Sequence, residues 1–107
     1  MAGPVVYVVQ EQPNFDLSSA EVWGRLEILL PPGNLNFQGP HIKRMLEAKL
    51  EIFQPTDWLL LTGSPVAVAM TAVIAYERLP LGMRGKRLQV LKWQSAQKKY
   101  LPLRLEL

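Results

Sequence analysis

One 22-residue stretch restricts the fold more than any other. DWLLLTGSPVAVAMTAVIAYER, Asp57 to Arg78, places a strand-like apolar run before Gly63-Ser64-Pro65 and a long apolar helical pattern after it. Glycine lets the chain turn, serine caps a helix, and proline suits a first helical position, so the junction reads as strand, tight turn, helix. Trp58 to Tyr76 is 19 residues without a formal charge, which is the length of a membrane span. A strand and turn inside that window would expose unpaired backbone to lipid, so a span is not expected.

The same alternation recurs on both sides. VVYVVQ (Val5–Gln10) is apolar on both faces and bounded by prolines, which predicts a buried strand. DLSSAEVWG follows, with Ser18 and Glu21 at capping-box spacing and Gly24 as a stop, predicting a short helical turn. RLEILLPPG (Arg25–Gly33) reads as a second strand ended by two prolines and a glycine. From His41 to Phe53, Ile42, Met45, Leu46, the Lys49 stem, Leu50 and Phe53 form one helical stripe, with Pro40 at its first turn. A helix over Ser64–Leu79 follows the third strand, and its Ala- and Val-rich composition predicts burial on two sides. In the tail, Leu88, Val90 and Lys92 share one face and Gln89, Leu91 and Trp93 the other. Leu101, Leu103, Leu105 and Leu107 alternate with polar residues and proline, so the tail reads as a hairpin with a half-buried edge strand.

The resulting order is β, short α, β, α, β, α, β, β. It predicts a single α/β domain over residues 1–107: a layered, partly parallel sheet with two main helices and a C-terminal antiparallel hairpin. The length allows one core, and 49% apolar with 20% charged residues suits a folded chain.

The available chemistry is narrow. There is no cysteine, which excludes disulfides, thiolate metal sites and thiol nucleophiles and suits a reducing cytoplasm. His41 is the only histidine, and no GxSxG accompanies it. The nine acidic residues are scattered, and Glu47 and Glu51 read as solvated helix neighbours. No catalytic residue, metal or cofactor is therefore expected, and the chain reads as a non-enzyme. The N-terminal residues have no basic region or cleavage site of a signal peptide.

Two stretches offer binding chemistry instead. Net charge is −2 over residues 1–53 and +5 over residues 54–107. Arg84, Lys86 and Arg87, then Lys92, Trp93, Lys98, Lys99 and Tyr100, interleave cations with aromatic rings on a hairpin, as single-stranded nucleic acid or an acidic partner would require. The competing reading makes Trp93 and Tyr100 cross-strand packing partners and the lysines edge guards. At the other stretch, Thr62, Gly63 and Ser64 precede a helix N-terminus, where free N–H groups can meet a small anion or nucleotide. One glycine without GxxxxGK[ST] or GxGxxG is a weak signal, and simple capping accounts for the same residues.

LLPPG, DWLLLTGSP, LQVLKW and KKYLPLRLEL, in that order, resemble a family of small tailed-bacteriophage proteins with the pattern LLPPG…YLLLxGDPxxI…LLKWDR…YxPxxIDL. The likeness spans Val5 to Leu107. The chain departs from it at Ser64, where the family has Asp, and at Gln94-Ser95, where it has Asp-Arg. The resemblance implies a phage origin and a host-cytoplasm setting without naming an activity. It points to an accessory protein that binds a host or phage macromolecule, such as an inhibitor of a defence or transcription complex. Nucleic-acid binding by the hairpin and anion binding at Gly63–Pro65 are the other two readings.

Overall fold

A computed structural model describes residues 3–80 and 87–107. Five strands form one sheet: β1 (Val5–Gln10), β2 (Arg25–Leu30), β3 (Trp58–Leu60), β4 (Arg87–Gln94) and β5 (Lys99–Glu106), in the order β2-β1-β3-β4-β5. The pairs β1–β2, β1–β3 and β3–β4 are parallel, and β4–β5 is antiparallel. The expected α/β fold with a partly parallel sheet and C-terminal hairpin is what the chain adopts.

The crossovers explain the two layers. From β1 the chain moves outward to β2 through a 3-10 helix, Ser18–Trp23, and then returns across β1 to β3 and β4 through α1 (Pro40–Lys49) and α2 (Pro65–Arg78). Right-handed crossovers that run in opposite directions must lie on opposite faces. Accordingly α1 and α2 cover one face, burying Tyr7, Val9, Leu46, Leu59, Ala75 and Val90. The 3-10 helix covers the other, where Ala20 meets Val6, Val8, Trp58, Leu60 and Leu91. All six residues of β1 are buried, as its unbroken apolar pattern requires.

Each helix follows its stripe. In α1, Ile42 and Leu46 are buried, and Leu50 and Phe53 continue that line beyond its end. The helix closes at Lys49, earlier than Phe53, with Leu50 as its C-cap. In α2, Ser64 is the N-cap: its hydroxyl accepts from the Ala67 N–H at 3.1 Å, and Pro65 is the first helical residue. Ser64→Ala should cost about 1 kcal/mol in chemical denaturation. An aspartate at this position would cap equally well.

Three local expectations are corrected. The Ser18–Glu21 capping box does not form; Asp16 instead accepts from the backbone N–H and hydroxyl of Ser18. These bonds hold the Asp16 carboxyl below the usual carboxylate range. The second correction concerns α2, which is covered on one side only. Ala67, Thr71, Ile74 and Ala75 face the sheet, while Val66 and Val73 are 51% and 60% exposed. Ala72 is only half-buried. The third is the hairpin turn: the sequence QSAQ, Gln94–Gln97, reads as the turn between the two arms, and the loop is Ser95–Lys98 instead, with Lys98 in the left-handed region at φ 50°.

Candidate functional site

The strand order reverses beside β1, so the carboxyl ends of β1 and β3 flank a topological switch point, where open α/β sheets usually take ligands. Here the fold closes that crevice itself. Gln10, 2% exposed, donates from its amide nitrogen to the carbonyls of Pro31 (3.1 Å) and Gly33 (2.8 Å). Its amide oxygen accepts from the Ser64 N–H at 3.0 Å. Thr62 is buried, and its hydroxyl donates to the Gln10 carbonyl at 2.8 Å. Gly63 has φ 101°, and a Cβ there would lie 2.4 Å from the Gln10 Cβ.

This bears on the expected anion contacts at Thr62, Gly63 and Ser64. The three residues do meet at the head of α2. However, the Ser64 N–H is held by Gln10, the Ala67 N–H by Ser64, and Pro65 has no N–H. The Thr62 hydroxyl points its proton at β1. The first turn's donors are thus largely committed within the fold.

The hairpin presents a different arrangement. Arg84 and Lys86 lie outside the described residues. Arg87 pairs with Glu106 across the β4–β5 ladder at 3.2 Å, both well exposed. Lys92, Lys98 and Lys99 are exposed. Trp93 and Tyr100 are directly opposed in the ladder, with ring centroids 4.9 Å apart and edge-to-face. Phe15 adds a second edge contact to Trp93 at 6.0 Å. Tyr100 is 2% exposed; its hydroxyl donates to the Asp16 carbonyl at 3.1 Å, and burial, then Asp16, raises its pKa. Packing therefore engages Trp93 with two rings and buries nearly all of Tyr100, and the three lysines are what the hairpin turns to solvent.

Two features were invisible in the sequence reading. Asp57 is buried at the start of β3, with one carboxylate oxygen accepting from the Val5 N–H and the other from the Gln54 N–H, each at 2.8 Å. Its carbonyl accepts from Gln89, whose amide oxygen accepts from Arg104, and that guanidinium sits 5.3 Å from the Trp58 ring centre. The other is the outer face of α2. Val73 and Glu77 form a ridge between a groove of about 440 Å³, lined also by Lys43, Ala69, Met70 and Ile74, and a smaller one of about 200 Å³ bounded by Ala72, Tyr76 and Leu107. The exposed valines and Ala69 could have been found as a stripe at helical spacing, had the helix not been so apolar on every side.

Residues 4–107 match the family model described as Phage Pam3 gp32-like protein. The chain belongs to this family. The phage family anticipated from LLPPG, DWLLLTGSP and LQVLKW is thereby given at the level of a phage protein family, with nearly the whole chain inside the match. No curated protein and no solved structure matches the chain. Among the described residues, no helix is long and apolar enough to cross a membrane, and no group of three or more His, Asp or Glu is placed to hold a metal ion.

Proposed function

We propose that the chain is a phage accessory protein that acts in the host cell without catalysis, by docking on a host or phage protein through the outer face of α2. The observation that carries this reading is the exposed stripe Val66, Ala69 and Val73 with half-buried Met70, flanked by two grooves. A helix whose apolar face points to water, next to concave surface, is what protein interfaces are built from. Lys43 stands on the α1 side of the larger groove and Glu77 on the α2 side. The partner that fits is an apolar ridge carrying an acid toward Lys43 and a base toward Glu77. The nucleic-acid alternative has less support, because Tyr100 is buried and Trp93 packs against both Tyr100 and Phe15.

Val73→Glu is the direct test, since Val73 is exposed and its replacement should alter folding stability by no more than about 0.5 kcal/mol. Against a stoichiometric protein recovered with the wild-type chain after nuclease treatment, the variant should lose about 2 kcal/mol or more of binding. Lys98→Glu with Lys99→Glu should bind that protein normally. Loss in the lysine variant with retention by Val73→Glu would transfer the interface to the hairpin and overturn this reading.

A further inference from the structure

The two edges of the sheet are finished differently. The Leu61 N–H donates to the Leu91 carbonyl at 3.0 Å, so Leu91 of β4 turns its backbone groups toward β3. Its cross-strand neighbour Pro102 therefore turns its nitrogen away from the sheet, where proline has no N–H to offer. That interrupts β5 as a template for a further strand.

The other edge, β2, has no such break. The Arg25 N–H donates to the Pro4 carbonyl at 3.1 Å, so Arg25 and Glu27 turn their backbone groups toward β1, and Leu26 and Ile28 turn theirs outward. The Lys49 ammonium takes the Ile28 carbonyl at 3.3 Å. Among the described residues, nothing bonds the Leu26 N–H, the Leu26 carbonyl or the Ile28 N–H. The side chains alternate too. Arg25 and Glu27 are exposed on the face of Val5 and Tyr7, while Leu26 and Ile28, the latter 38% exposed, lie on the other. Neither charge has an ion pair among the described residues.

We infer that β2 pairs antiparallel with β2 of a second copy of this chain, about a two-fold axis at Leu26. In that register Arg25 faces the partner's Glu27 and Glu27 faces the partner's Arg25, in non-hydrogen-bonded pairs where side chains lie closest. Leu26 exchanges both backbone hydrogen bonds with the partner's Leu26. Moving the axis by one residue, to Arg25 or to Glu27, sets like charges opposite each other, so the charge order selects the register. An unrelated strand would need the same charges in reverse order, which an antiparallel copy of β2 carries by symmetry. The edge shares no residue with the outer face of α2, so either proposal can fail without the other.

Sedimentation of the full chain from micromolar to millimolar concentration tests this. A reversible dimer is expected, weak because a short strand pair buries little area. Arg25→Glu and Glu27→Arg change exposed side chains on an edge strand and should leave the fold intact. Each alone creates two like-charge pairs and should weaken the dimer about tenfold or more. An equimolar mixture of the two variants restores both opposite-charge pairs and should dimerise as the wild type does, which damage to the fold would not allow. A monomer throughout the range, charge variants that dimerise like the wild type, or a mixture no better than its components would overturn the assignment. So would a wild-type dimer abolished by Val73→Glu, which would place the contact on α2.

Discussion

Asp57→Ala is expected to destabilise the protein by about 3–5 kcal/mol, since two buried charge-assisted hydrogen bonds are lost at about 1.5–3 kcal/mol each. The carboxylate joins three pieces of chain. Through the Val5 N–H it holds the first residue of the central strand, and through the Gln54 N–H it holds the turn that leads out of α1. Alanine would leave both N–H groups facing a space with no acceptor, and the site is only 4% exposed. Asp57→Asn keeps one acceptor oxygen and should lie between alanine and the wild type. Urea denaturation measures both. A loss under about 1 kcal/mol for alanine would mean that water or a rearranged turn satisfies the two donors, and that Asp57 is not the tie described here.

Gly63→Ala should cost about 2–4 kcal/mol, combining a left-handed backbone with overpacking. At φ 101° an L side chain is strained, and the new Cβ would meet the Cβ and amide oxygen of Gln10 at 2.4 and 2.5 Å. Because a Cβ sits next to the backbone, Gln10 cannot swing aside without giving up its three hydrogen bonds. Gly33→Ala provides the comparison. Gly33 has nearly the same φ, 99°, with nothing within 4 Å of its added Cβ. The excess of Gly63→Ala over Gly33→Ala in thermal or urea unfolding therefore reads the contact with Gln10. Equal losses would show that β1 accommodates the methyl group and that the crevice at the switch point is looser than the geometry indicates.

The elements were legible because each carries a period and a stop. Val5–Gln10 alternates between two buried faces and ends near Pro13, α2 begins at a serine followed by proline, and the tail alternates with a period of two. The opposition of Trp93 and Tyr100 was less legible, because a turn at Gln94–Gln97 would pair Trp93 with Lys98, and only the loop at Ser95–Lys98 sets the two rings opposite each other. What could not be read depends on contacts distant in sequence. Asp57 resembles any solvated acid before a strand, and its partner Val5 is 52 residues away. Gln10 looks like a polar strand end, yet it seals the connection of β2 to α1 against the head of α2. For the candidate sites the limit is different. Composition located cations and aromatics on the hairpin correctly, but whether a ring is presented or packed is decided by Phe15 and Asp16, on another segment. The outer face of α2 was hidden by its own composition: with apolar residues nearly all round, periodicity could not distinguish the covered side from the open one.

Docking through α2 is tested most directly by site-specific photo-crosslinking. A photoreactive amino acid replaces Val73 in one version of the chain and Lys99 in another, and both are expressed in host cells during infection. Docking through α2 predicts one discrete protein adduct from position 73, lost when Val66→Glu is added, and no such adduct from position 99. A protein adduct or a nuclease-sensitive adduct from position 99 alone, with none from position 73, would contradict it.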